Sequence, residues 1–283
     1  MMKQLCGKAI KFIVITLTLL SCGATSNLWA AKLAIVIDDI GYRNKDDDQI
    51  YAMPKEISVA IIPAAPYAKQ RNELAKQQDR DILIHMPMQP VGGQKIETGG
   101  LKLGLTEEEV KRRVETAHHI VSHAIGMNNH MGSAATADRT LMSYLMKSLK
   151  QKQLSFLDSR TSGRSIASQT AKQFGIHSLE RHIFLDDSDA FTDVQHQFQK
   201  AINYAQKHGV AIVIGHPRKN TIAVLQTGLK NLPKDVELVP ISQLWQQNKA
   251  TAPLPFIYLF NNVPAPTSIA PYLSVPTLRG IPE

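Results

Sequence analysis

Five uninterrupted apolar residues, Leu33 to Ile37, run straight into two adjacent carboxylates, Asp38 and Asp39, and then through Ile40 to Gly41. A short, β-branched-rich run of this kind suits a strand buried on both faces of a parallel sheet. A strand that stops at Asp-Asp places both acids at its carboxyl end, where open sheets and barrels of parallel strands build their sites. Adjacent residues of a strand point to opposite sides, so the two acids are expected to have different roles. Taken alone, the pair reads equally well as turn-forming or helix-capping aspartates. Its recurrence down the chain favours chemistry.

Further strands are expected at 57–62, 81–86, 154–158, 182–185, 210–214 and 236–239, with the segment MNNH at 127–130 as another candidate. Between them lie helical patterns. The stretch from Tyr42 to Gln49 reads as a polar, acidic connection, and 67–78 as a surface helix. Thr106 with Glu109 three residues on is a capping-box signature, and the helix it opens carries Val110, Val114, Ala117, Val121 and Ala124 as one apolar stripe. Leu141, Leu145 and Leu149 face inward from the next helix, which Thr136 or Asp138 caps. A later helix turns Phe191, Val194, Phe198, Ala201 and Ala205 inward and stops at Gly209. Strands alternating with helices argue for parallel βαβ units. Seven or eight units in the central part of the chain predict an α/β fold, a distorted (β/α) barrel of seven or eight parallel strands. An open doubly wound sheet is the alternative. The first βα connection lacks a phosphate-cradling glycine motif, against a nucleotide-binding version.

The two ends of the 283-residue chain differ from this middle. Lys3, Lys8 and Lys11 precede a short apolar run, Phe12 to Leu20, with small and polar residues following up to Ala30-Ala31. That is the layout of a secretory signal over residues 1–30, cleaved near Ala30, with export to the periplasm as the expected destination. A second reading takes Leu19-Leu20-Ser21-Cys22 as a lipoprotein box in which Cys22 is acylated. Both cysteines, Cys6 and Cys22, lie in this leader, so a chain cut near Ala30 has neither a disulfide nor a catalytic thiol. The leader carries three lysines and no acid, and its removal takes the formal charge from +8 to +5. A positive surface suits an anionic envelope polymer. No basic run is interleaved with aromatics, so nucleic acid is not an expected partner. The globular domain is expected over 31–249, and 250–283 holds seven of the fifteen prolines and reads as a disordered tail.

The strand ends collect Asp38, Asp39, His85, His130, Asp158, Asp186, Asp187 and His216. In a parallel barrel these ends share one face, so residues over a hundred positions apart converge. One carboxylate with two neutral imidazoles binds Zn²⁺ or a similar divalent metal and leaves room for water. A second carboxylate to take a proton and a histidine to give one complete a set for metal-assisted hydrolysis of an amide or ester. A competing pair, His119 and His123, has zinc-binding spacing on a helix but shares a face with Glu115 and Lys111, and reads as a solvated surface. No GxSxG elbow is present, and Ser133 has no base nearby in sequence except His130.

These residues resemble the polysaccharide deacetylase family, and most closely its divergent exported bacterial branch, over roughly Lys32 to Trp245. The family ends its first strand in Asp-Asp-Gly, matched by Asp38-Asp39-Ile40-Gly41 with one residue inserted. The resemblance implies a distorted (β/α) barrel, a divalent metal, an acetylated polysaccharide as substrate, Asp38 as general base and Asp39 as metal ligand. Of the family's histidine pair, His85 stands in the first position and Gln89 in the second, with His130 to supply the missing ligand. Ile214-Gly215-His216 matches the last motif and implies His216 as general acid, while Asp158 and Arg160 stand in for the acid and arginine that orient these groups. The rearranged ligand set leaves a second expectation open: a periplasmic glycan-binding or regulatory protein on the same scaffold, without turnover.

Overall fold

A computed structural model describes residues 30–247, together with two short strands, Leu259–Phe260 and Thr277–Leu278, that pair antiparallel with each other. The expected leader and most of the expected tail lie outside the described residues. The central sheet is built from β1 (Ala31–Ile40), β2 (Ser58–Ile61), β3 (Ile82–Met88), β4 (Gly126–Met131), β5 (Ser155–Asp158), β6 (Ser178–Glu180), β7 (Ile183–Phe184), β8 (Val210–Gly215) and β9 (Val236–Leu238). Its order is β6-β5-β4-β3-β2-β1-β8-β7, and β9 pairs with the amino-terminal end of β1. Every pairing in this sheet is parallel. β6 and β7 do not pair, so the sheet curls without closing into a full barrel. His182, in the two-residue connection at that seam, accepts a hydrogen bond through Nδ1 from the Ile212 amide and donates its own amide to the Ile212 carbonyl.

Both faces of the sheet are covered, which is why its strands are continuous apolar runs. Leu33, Ile35 and Ile37 pack outward against the helix layer, in one cluster with Val110, Val114, Leu145 and Val194. Ala34 and Val36 face inward with Ala60, Leu83, Leu157, Ile212 and Ile214. The carboxyl-terminal helix α8 (Ile241–Gln247) joins this inner cluster through Leu244 and Trp245. A Cβ at Gly126 would stand 2.6 Å from the Trp245 ring, so only glycine fits at the start of β4. Among the described residues no helix is long and apolar enough to cross a membrane.

Several local expectations hold. The capping box forms at α3 (Glu107–Ile120), with Thr106 and Glu109 bonding reciprocally, and Asp138 caps α4 (Arg139–Gln151). Gly209 ends α6 (Phe191–His208) in the left-handed region at φ 81°. Other details differ. Phe191 is 46% exposed, because the first turn of α6 overhangs the core that Val194 and Phe198 enter. A helix α5 (Ala167–Gln173) and the short β6 occupy a stretch with no clear period.

The acidic connection after β1 is a helix, α1 (Asn44–Tyr51). Its sequence has little apolar face, and charge supplies what periodicity does not. Arg71, on α2 (Ala68–Gln77), is only 2% exposed and reaches back to this helix. It donates to Asp47 Oδ2 at 3.1 Å, to Asp48 Oδ1 at 2.6 Å, and to the carbonyl and side chain of Asn44, each at 2.8 Å. Asp47 Oδ2 also accepts the Gly41 amide at 3.0 Å, tying the clamp to the turn that follows Asp38 and Asp39. Removing one partner of a buried pair leaves the other charge uncompensated. Arg71→Ala is therefore expected to lower the unfolding free energy by about 3–5 kcal/mol in a denaturant titration. Lys55→Ala, which breaks the exposed pair with Asp79, should change it by less than about 1 kcal/mol.

Candidate metal centre

The carboxyl ends of β1, β3, β4 and β8 bring Asp38, Asp39, His85, His130 and His216 together. Asp39 leaves the strand conformation, with φ at 58°, and the β1–β2 register shifts between Ile37 and Ile40. This local bulge breaks the alternation expected of a strand and turns both carboxylates toward His85. His85 Nε2 stands 3.5 Å from Asp38 Oδ2 and 3.3 Å from Asp39 Oδ1. The expectation that the two acids face opposite sides is corrected here. Met131, directly after His130, also has positive φ, at 55°. Backbone strain of this kind concentrates where side chains must be aimed.

Three atoms form a compact triangle: Asp39 Oδ1, His85 Nε2 and His130 Nδ1. Their separations are 3.3 Å between Asp39 and His85, 3.0 Å between Asp39 and His130, and 3.1 Å between the two imidazoles. A tetrahedral cation with bonds of about 2.0–2.1 Å holds neighbouring ligands roughly 3.3 Å apart, so the triangle has the size such an ion needs. Asp39 Oδ1 is buried with no hydrogen-bond donor aligned on it, and an N₂O donor set suits a borderline divalent metal.

The neighbours hold these donors in orientation. His85 Nδ1 lies 2.8 Å from Asn128 Oδ1, which leaves Nε2 free to ligate. The Asn128 amide nitrogen in turn donates to Asp38 Oδ1 at 2.8 Å and to Ser159 Oγ at 3.3 Å. Glu97 approaches the far side of His130, with Oε1 3.7 Å from Nε2, and accepts from the Tyr42 hydroxyl at 3.3 Å. Gln89, at the position of the expected second histidine, turns away: its side chain accepts the Leu103 amide and its carbonyl accepts Ala134 and Ala135. His130, from the adjacent strand, completes the triangle instead.

His216 stands across the site, with Nε2 4.0 Å from Asp39 Oδ2. Its Nδ1 lies 2.8 Å from Asp186 Oδ1, while Asp186 Oδ2 accepts from the His216 amide at 2.7 Å and from Thr221 Oγ1 at 2.8 Å. Asp158 and Arg160 make their contacts within their own loop and with β6. Asp158 accepts from Ser165 Oγ at 2.6 Å and from the Arg160 amide at 2.8 Å, and the Arg160 side chain approaches Glu180 at 3.7 Å. Neither makes a hydrogen bond or ion pair with the five converging side chains. The partner of His216 is Asp186. Of the competing helical pair, His119 is exposed beyond the apolar stripe, and His123 lies past the end of α3, paired with Glu73 at 3.3 Å.

Electrostatics separate the five groups. Burial pushes the Asp38 carboxyl up, against the pull of His85 and His216. Burial also acts on Asp39, but His130 and His85 outweigh it and hold that carboxyl far below its usual range. Burial would lower His85, yet Asp38 and then Asp39 overcome it and lift it to about 9. His216 is likewise raised against burial by its bond to Asp186. A metal must therefore displace a proton from His85. Below about pH 9, apparent Zn²⁺ affinity should rise by up to about tenfold per pH unit, measured by competition with a chelator. Asn128→Ala should weaken that affinity about 10–100-fold, and Asp39→Ala by more.

A protein 65% identical over 253 residues, covering 89% of this chain and 90% of its own, is an uncharacterized protein of Haemophilus influenzae. Another, 39% identical over 231 residues and covering 82% of this chain and 72% of its own, is the uncharacterized protein YibQ of Escherichia coli. An uncharacterized protein of Agrobacterium tumefaciens C58 has the same fold, with a TM-score of 0.70 at 18% identity, covering 76% of this chain and 89% of its own. The model of the divergent polysaccharide deacetylase family matches residues 35–245. The chain belongs to the divergent polysaccharide deacetylase family.

Proposed function

We propose that this protein is an exported, metal-dependent hydrolase that removes acetyl groups from a polysaccharide of the cell envelope. The observation that carries the reading is the triangle of Asp39, His85 and His130, with Asp38 on one side and His216 on the other. Asp39, His85 and His130 would hold a divalent metal, Zn²⁺ by donor type. Such an ion supplies an electrophile for the acetyl carbonyl and an acidified water.

The remaining residues divide the proton work. Asp38, raised by burial, accepts a proton from water near neutral pH more readily than an exposed aspartate. Asn128 fixes its Oδ1, so Oδ2 is the basic atom. His216, raised by Asp186, holds a proton that it gives from Nε2 to the departing amine or hydroxyl. Two groups with opposed charge states at one pH are what acid–base hydrolysis requires.

Purified full-length protein tests the reading through bound metal and acetate release from acetylated peptidoglycan and chitin oligomers. His216→Ala should keep its metal and lose about 10²–10⁴ in kcat. Asp186→Asn should move the alkaline limb of the pH–rate profile downward, because the charge that raises His216 is gone. Metal bound at one per chain with no acetate from any glycan would instead favour a binding protein without turnover. Export is tested by the amino terminus of the mature protein: a start near Ala31 supports cleavage of the leader, and an acylated Cys22 the lipoprotein alternative.

A further inference from the structure

Beside the metal centre lies a cavity of about 300 Å³ lined by Asp39, Tyr42, Arg43, His216, Pro217 and Arg218. Asp39 and His216 belong to the reacting set, so whatever fills this space adjoins the bond being cleaved. Tyr42 offers an exposed ring, a surface on which the apolar face of a sugar can lie. The two arginines are the unexplained part. A neutral acetylated sugar needs hydrogen-bonding groups but no pair of guanidinium ions.

Neither arginine is used up by the fold. Arg43 is mostly solvent-exposed and meets Asp46 at 3.5 Å through one nitrogen. Arg218 donates through one nitrogen to the Asp186 carbonyl at 2.6 Å. The remaining donors of both are uncommitted among the described residues. Arg43 and Arg218 also immediately precede α1 and α7 (Lys219–Gly228); the start of α7 has neither a side-chain cap nor an acid in its first turn and adds positive potential at this wall, whereas the first turn of α1 carries Asp46 and Asp47. The nearby acids offset this charge only in part. Asp39 faces the metal position, Asp186 is engaged by His216 and Thr221, and Asp46 reaches only Arg43.

We infer that the glycan acted on carries an oxyanion, a carboxylate or a phosphate, on or next to the acetylated sugar, and that Arg43 and Arg218 bind it in this cavity. The planar fork of arginine matches both oxyanions with paired, charge-assisted hydrogen bonds. This inference rests on the deacetylase reading for its catalytic readout but not for its binding readout.

The test uses full-length, metal-loaded protein and three matched probes: a neutral N-acetylglucosamine oligomer, the same oligomer oxidised to a carboxylate at C6, and the same oligomer phosphorylated at C6. At least one anionic oligomer should exceed the neutral one by about tenfold or more in kcat/KM, mainly through KM, as expected for a charge-assisted contact. The better of the two identifies which oxyanion the cavity fits. The preference should shrink with added salt and in Arg43→Gln and Arg218→Gln, and survive in Lys200→Gln on the exposed face of α6. Circular dichroism checks that the variants fold, and Arg218→Lys replaces Arg218→Gln if that one does not. Equal kcat/KM for all three probes, or a preference untouched by both arginine variants, would overturn the inference and leave the deacetylase reading standing. If no probe releases acetate while acetylated peptidoglycan does, or if none does on any glycan and the deacetylase reading fails, isothermal titration with the same probes decides the inference: tighter anionic binding lost in the arginine variants supports it, and equal binding refutes it.

Discussion

Two neighbouring carboxylates can serve one site only if the chain between them leaves the strand conformation, and everything in the metal centre follows from Asp39 doing so. In a regular strand Asp38 and Asp39 would face opposite layers, one in the barrel interior and one among the helices. The left-handed residue and the shifted β1–β2 register put both beside His85. That conformation is unfavourable for a residue with a Cβ, though aspartate tolerates it better than most. Ile40, the extra residue relative to the family's Asp-Asp-Gly, is fully buried and gives the turned segment an apolar anchor.

The strain at Asp39 has to be held, and the surrounding bonds hold it from two sides. Gly41 donates its amide to Asp47 and accepts the Tyr67 amide, and Arg71 secures Asp47 through a buried ion pair. On the inner side, Asn128 bridges His85 and Asp38. Positions up to 90 residues apart in sequence are thus fixed to within hydrogen-bond distance by a few polar contacts inside an apolar shell. Such contacts are strong there because little water competes for them.

Much of this was legible in the sequence because fully apolar strands announce themselves, and their last residues are then known. Asp38, Asp39, His85 and His216 come from that reasoning, whereas His130 follows the polar segment MNNH and enters as a candidate strand end and through the family resemblance. The residues missed are those whose role depends on pairing register, which no single strand reveals. Phe184 lies opposite Ile214, so Asp186 and His216, each two residues further on, meet beyond the strand ends. His85 lies opposite Asn128, which makes their contact a consequence of the β3–β4 alignment. Asp186 reads in the sequence as a strand-end acid like any other, and Asp158, equally placed at the end of β5, satisfies its own loop instead. Glu97 comes from a glycine-rich connection with no period at all. α1 reads as a connection because its stabilising partner, Arg71, is distant in sequence and the helix has almost no apolar stripe to betray it.

His85 lies between two carboxylates, whose charge raises its affinity for a proton. That proton does part of the work of a metal: it offsets the negative charge of the pocket and keeps the acids from repelling one another. Zinc fingers lack such a placeholder and stay unfolded until the ion arrives. Here His85 sits against both acids from within the chain, so the pocket carries its own charge partner for them.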